Sequence, residues 1–574
     1  MKILTLGNFL AGLAFAAALA GCGGSGDGVS ADSASAGAAP PVVVPPVVTP
    51  PVIRPPVVTP PVAVPPVVIG FVGKAGVNGG VCAKPSGIQP FGTSTRTVGN
   101  GTPESCTEAA LRGAMASGGK IAFSCGDAVK TITLTSVIPY LVSADLEGAG
   151  KLVLSGGGST RLFRGSSGQV LTLRNLTIRD GYFNSANPGS EQQGAAGIHT
   201  NFRGGIVADN VKFLNNVSID AGKLSERNGG AVSTHESPVA IFYNSLFQDN
   251  SGHLGSAINN LLTNLDVVNT TVLNNTLTDE GFGGAIYSDG ALRTYDDPTR
   301  PNVSRFTSSG YVSVCGSLIE GNRGGYTGAV YTCGYANDQA TVDRSMIIGN
   351  STGNTVNAAT GGGLTAQCNA RMLVKNSTIA NNIAKGYGGG IWHGSSDNNP
   401  LNRLVILNST VTGNKTTMGP DGNGGVGGGI SIDGNASSAL LNNVTIAYNS
   451  SGQGGGVFMK GDHQVVATNT IVAHNNSTNP WNMAKNCSES FRTGAGIFEF
   501  PAKVNGNACA SNPVTVEPGL ADALLSDNGG PTKTMRPSPN SVARGAGSAC
   551  EAIDQRGVNR GARCDAGAVV ISAP

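Results

Sequence analysis

The chain of 574 residues has 85 glycines, only 13% charged and 5% aromatic residues, and a formal net charge of +2. About twice the usual glycine and half the usual charge exclude a conventional core of large side chains, and favour short strands joined by tight turns. Near-neutral charge, with no basic run or nucleic-acid motif, gives no basis for a nucleic-acid partner.

In chain order, Lys2 precedes an apolar stretch from Phe9 to Ala20, too short for a finished membrane span but suited to an export signal. It ends in Leu19-Ala20-Gly21-Cys22, which resembles a bacterial lipobox. The resemblance implies that residues 1–21 are a signal peptide and that Cys22 carries a lipid holding the protein on a membrane. With Gly rather than Asp at position 23, similarity to the enteric sorting rule implies the outer membrane of a Gram-negative host, with the protein exposed at the surface. Residues 22–39 read as a flexible Gly/Ser/Ala tether. Pro-Pro then recurs at 40, 45, 50, 55, 60 and 65, making 40–68 a stalk. At about 3.1 Å per residue in polyproline conformation, Pro40 to Pro66 would reach roughly 80 Å. No later segment is apolar enough for a transmembrane helix.

Beyond Cys22, ten cysteines remain, enough for five disulfides in an oxidising compartment. None has CxxC spacing, so no zinc site is expected. The close pairs Cys106/Cys125, Cys487/Cys509 and Cys550/Cys564 are the expected bridges; the partners of Cys82, Cys315, Cys333 and Cys368 stay open.

The folded part is expected from 71 onward. Thr102-Pro103-Glu104 opens a predicted helix through Leu111 and Met115 that stops at Gly118-Gly119, before a strand from Ile121 to Cys125. Such a helix can cover the open end of a solenoid. The segment from Cys106 to Ala114 resembles the entry motif of many exported β-helix proteins.

Two repeats follow. Asn-x-x-[Ile/Val/Phe]-x-x-Asn starts at Asn210, Asn244, Asn269, Asn376, Asn408, Asn443 and Asn469, with degenerate copies at Asn175, Gly316 and Arg344. A glycine pair, a small residue and an aliphatic recur with the aliphatic at Ile198, Val232, Ile258, Ile286, Val330, Leu364, Ile391, Ile430 and Val457. Each interval holds one glycine-led and one Asn-flanked strand and no helix-period stretch. The expected fold is all-β: a right-handed parallel β-helix of about 10–12 coils over 71–515, with stacked aliphatics inside and amide ladders at the turns. A β-sandwich array would instead show hairpin turns and alternation every 8–12 residues.

The sharpest resemblance lies at the end of the chain. Asp527-Asn528-Gly529-Gly530-Pro531-Thr532, Ser538-Pro539, Asp554-Gln555-Arg556-Gly557, Arg560 and Cys564-Asp565-Ala566-Gly567-Ala568 resemble the closing segment of the choice-of-anchor Q group. Those are exported proteins of the pectin-lyase-like β-helix superfamily. Residues 516–574 are therefore expected to cap the helix, with Asp554, Arg556 and Asp565 as paired structural charges. The N-terminal lipid is expected to replace the group's usual C-terminal anchor.

The resemblance leaves function open, because that superfamily includes lyases, polygalacturonases, tailspikes and adhesins. The chain has no Asn-x-Asp…Asp-Asp…Gly-His-Gly…Arg-x-Lys series, no Trp-x-Asp-His and no Arg-x-Pro-x-x-Arg. Strand alternation sends the residues one and three after each repeated aliphatic outward. The first outward column reads His199, Ser233, Asn259, Tyr287, Tyr331, Thr365, Trp392, Ser431, Phe458; the second reads Asn201, His235, Leu261, Asp289, Cys333, Gln367, Gly394, Asp433, Lys460. Tyr287, Tyr331, Trp392 and Phe458 are the candidate sugar-binding residues. Beside them an insertion carries Arg293, Asp296, Asp297, Arg300 and Arg305. Should the chain be catalytic, the candidates are Asp289, Asp296, Asp297, Arg300, His235 and His393. The expected role is adhesin-like binding of extracellular polysaccharide or matrix. The alternative is a polysaccharide-degrading lyase or glycoside hydrolase. No cofactor is expected, with Ca²⁺ entering only for a lyase.

Overall fold

A computed structural model describes residues 82–571, apart from 186–193, 220–228, 278–280, 282, 292–309, 336–337, 354–358, 369–370, 396–402, 418–424, 435–436, 479–485, 504–506 and 521–522. Cys22, the tether and the Pro-rich repeat lie outside the described residues.

The architecture follows from where the chain turns. The leading asparagine of each repeat sits in the left-handed region: φ is 58° at Asn210, 50° at Asn269, 51° at Asn376 and 54° at Asn443. Gly316 and Arg344 hold the same place in the degenerate copies, with φ of 61° and 47°. Asn and Gly enter this region at little cost, so each repeat bends into two short strands at a fixed point. Coil on coil, these strands build, among the described residues, one parallel sheet of 22 strands. The glycine-led strands build a second sheet of 11, and two- and three-residue strands close each coil in a third sheet of 10. The chain is a parallel β-helix.

Register confirms the repeat reading. Ile198 pairs with Val232, Val232 with Ile258, Ile258 with Ile286, and so on through Leu364, Ile391, Ile430 and Val457. All face the lumen, fully buried. The closing asparagine of each repeat also points inward. Asn216, Asn250, Asn275, Asn322, Asn350, Asn382, Asn414, Asn449, Asn475 and Asn486 form one continuous ladder, each Nδ2 donating to the next Oδ1 at 2.8–3.1 Å. The ladder explains the glycines. A Cβ on Gly390 would lie 3.0 Å from the Asn414 side chain, one on Gly429 3.0 Å from Asn449, and one on Gly456 2.9 Å from Asn475.

A second ladder had no counterpart in the sequence reading. The residue after the corner is Ser245, Thr270, Ser317, Ser345, Ser377 or Ser409, and each hydroxyl accepts the backbone N–H one coil down at 3.1–3.2 Å. Its signal in the sequence is the Ser or Thr that directly follows each corner residue.

The lumen is closed at both ends. The helix Glu108–Ser117 buries Leu111 and Met115 over the first coil, with the Thr107 hydroxyl accepting the Ala110 N–H at 3.2 Å. It starts five residues later than the Thr102-Pro103 signal implied, because Pro103–Ser105 forms only a 3₁₀ turn. At the other end Cys487, Phe491, Ile497, Cys509 and Ala510 join the same core. The C-terminal segment, expected to cap the end, lies along the flank instead. It packs Leu520, Met535, Ala543, Ala566 and Ile571 on Ala447, Ile471 and Ala473. Outward-pointing corner asparagines hold it: Asn408 donates to the Ile553 carbonyl, and Asn469 exchanges two hydrogen bonds with Ser548. Its buried charges are structural: the Asp554 carboxylate receives Arg556, Val558 N–H and Val570 N–H. Asp565 receives Gly545 and Ile571 N–H. Burial lowers the Arg560 guanidinium to about 10, against the opposing pull of Asp554 and Asp565.

The three close cysteine pairs are bridged, and the four open ones join as Cys82–Cys315 and Cys333–Cys368.

Candidate functional site

The outward face of the glycine-led sheet carries the predicted aromatic column in the expected register: Tyr287 beside Tyr331, Thr365 beside Trp392, Ser431 beside Phe458. Its exposure differs from the expectation. Tyr287 and Tyr331 are only 7% and 8% exposed, stacked with ring centroids 4.9 Å apart. They form an outer cluster with Leu254, Leu261, Tyr335 and the Cys333–Cys368 bridge. The Tyr331 hydroxyl donates to Gln367 Oε1 at 3.0 Å. Burial, with Asp289 and Tyr335 nearby, pushes its phenol well above the ordinary range, so it remains a neutral donor. These two rings are packing, not a platform.

Asp289 belongs to the same cluster. It accepts the Tyr335 hydroxyl at 2.7 Å and the Tyr287 hydroxyl at 3.4 Å. A carboxylate so engaged anchors the tyrosines rather than facing a substrate. Asp296, Asp297 and Arg300, with Arg293 and Arg305, lie outside the described residues. What is described is the base of their insertion. The buried Asp338 carboxylate accepts N–H groups from Ala291, Gly310 and Tyr335 at 2.9–3.0 Å, stapling both ends of 292–309. Nothing in the sequence around Asp338 marks it for this role.

Two histidine candidates are corrected. His393 is 1% exposed and pairs with Ala366 and Ile432 in the inward column; two residues after Ile391, alternation already required this. His235 is buried edge-on against Phe202, centroids 5.4 Å apart, with Nε2 3.9 Å from Glu236. The residue beside His235 is Phe202 rather than Asn201, because Asn201 turns left-handed (φ 58°) and shifts the register by one.

Trp392 and Phe458 remain part-exposed, two coils apart with Ser431 between them. The Trp392 indole folds back along its own strand over Gly394, where any Cβ would overlap its six-membered ring. Its Nε1 has no hydrogen-bond partner among the described residues, so packing alone sets the ring's seat. Alongside, Lys460 Nζ lies 3.6 Å from Asp433 Oδ1. Among the described residues, Trp392, Phe458, Asp433 and Lys460 thus form the one part of the predicted column that combines part-exposed aromatic surface with charge. Among the described residues no group of three or more His, Cys, Asp or Glu is placed to hold a metal ion.

No protein-family model matches the chain, and no curated protein is significantly similar to it.

Proposed function

We propose that this protein is a surface-displayed, non-catalytic binder of an extended extracellular polysaccharide, and that the polymer lies along the helix axis over Trp392 and Phe458. One observation carries the reading: two part-exposed aromatics stand in register on the outward column, beside the Asp433–Lys460 pair. Coils repeat at about 4.8 Å, so the two rings stand roughly 10 Å apart along the axis, suited to successive apolar sugar faces. The pair offers a donor and an acceptor for hydroxyls at the rim. The lipobox-like Leu19-Ala20-Gly21-Cys22 and the Pro-Pro repeat support display from an outer membrane on a stalk. The resemblance of 527–568 to the choice-of-anchor Q group supports an exported setting.

A glycan array probed with the purified chain tests this. Trp392→Ala should fold normally and weaken binding by about 1–3 kcal/mol, the scale of losing an interfacial aromatic anchor. Unchanged binding after replacing both Trp392 and Phe458 would move the site elsewhere; depolymerised sugar in the incubation would replace binding with catalysis.

A further inference from the structure

The segment at the start of the described chain does not join the helix end-on. Cys82 is fixed halfway along the flank, bridged to Cys315 and exchanging two hydrogen bonds with the corner Asn269 at 2.8 and 3.0 Å. From there a strap runs over the outer face of the 22-stranded sheet toward the N-terminal end. Lys84 pairs with Asp209 at 2.7 Å, and Thr95 meets Lys120. On the way Ile88 covers Val207 and Ile241, outward-facing neighbours that are consequently only 5% exposed each.

The same outward column continues past the strap. It is polar from Asp266 through Ser313 to Thr341, then apolar again at Leu373, Val405, Leu440 and Val466, all part-exposed. The stripe they form is bordered on one side by the C-terminal segment, which is held through Asn408 to Ile553 and Asn442 to Glu551. The residues leading into Cys82 are Val67-Val68-Ile69-Gly70-Phe71-Val72, then Val77 and Val81, with Lys74 the single charge.

We infer that residues 67–81 continue the strap over this second apolar stripe, so that one N-terminal ribbon covers the column on both sides of Cys82. Geometry permits it. The coil of Val466 stands five coils beyond that of Cys315, about 24 Å at 4.8 Å per coil, while fifteen extended residues reach about 50 Å. The chemistry matches: β-branched and aromatic side chains on a sheet face whose counterpart under Ile88 is already covered that way.

The test places p-benzoylphenylalanine at position 71 of the full chain, with a control at Ser30, and maps photo-cross-links by mass spectrometry. The expected product joins residue 71 to a peptide containing Val405 or Leu440 of the same chain, with none from position 30. Amide exchange over 67–81 should be at least tenfold slower than in a Val405→Asp/Leu440→Asp variant. If that variant does not fold, the cross-link alone decides. Cross-links to another face, or no cross-link, would overturn the assignment. Cross-links only between chains would assign the stripe to a second copy instead.

Discussion

Replacing Asn350 with Leu, nearly the same volume without the amide, isolates the worth of the ladder. Asn350 Oδ1 accepts the backbone N–H and the Nδ2 of Asn322 at 3.0 and 2.9 Å; its own Nδ2 donates to Asn382 Oδ1, the Ile319 carbonyl and the Ile348 carbonyl. After the change Asn322 Nδ2 keeps the Val272 and Glu320 carbonyls, and Asn382 Oδ1 keeps the Asn350 N–H. The Asn322 N–H keeps no such substitute and is left buried without its acceptor. An orphaned buried donor costs about 1–3 kcal/mol and each further lost bond about 1 kcal/mol. We expect a loss of about 3–5 kcal/mol, read as a lower urea midpoint and as faster amide exchange at Ile319–Asn322. The corner asparagine is the control. Asn376→Gly keeps the left-handed turn and gives up one bond to Asp343 at 3.0 Å, so it should cost about 1 kcal/mol or less. A loss under 1 kcal/mol at Asn350, or equal losses at both sites, would refute the ladder as a main source of rigidity.

Tyr331→Ala should destabilise the chain by about 3–5 kcal/mol in denaturant unfolding, because the ring is buried in the outer cluster, whereas Trp392→Ala should leave the midpoint nearly unchanged. Burial raises the Glu499 carboxyl above its ordinary 4.5, with hydrogen bonds from Cys509 and Asn486 opposing. Its contribution is therefore full at acid pH and is lost as pH rises through that raised value. Glu499→Gln should raise Tm at pH 7, with the gain shrinking toward pH 4.5; a gain independent of pH would contradict this. Cys82→Ser/Cys315→Ser chains lose a 233-residue closure, worth up to about 5 kcal/mol in the chain-entropy account, and amide exchange over 82–92 should rise as the strap lifts. Gly389→Ala should fail to fold at 37 °C, since its Cβ would overlap the Gly428 carbonyl on the next coil; soluble, protease-resistant protein would show that the turn can shift.

The sequence by itself determined the coil. Asparagine six residues from asparagine, and glycine pairs before an aliphatic, are local requirements of backbone conformation and volume, repeated in each turn of the chain, so period and register were legible without coordinates. Alternation likewise placed Tyr287, Tyr331, Trp392 and Phe458 on one outward column, and would have placed His393 inside had it been applied there. Tertiary structure alone decided which of those outward residues meet solvent. Facing away from the lumen is a property of one strand, but exposure depends on what distant chain lies on top. Leu254, Leu261 and, through its bridge to Cys333, Cys368 gather around Tyr287 and Tyr331 from other coils. The strap on Asn269 and the C-terminal segment on Asn408 and Asn469 join residues 79 to 187 positions apart. No local pattern specifies such contacts, because each depends on a complementary surface that exists only after the coils have stacked.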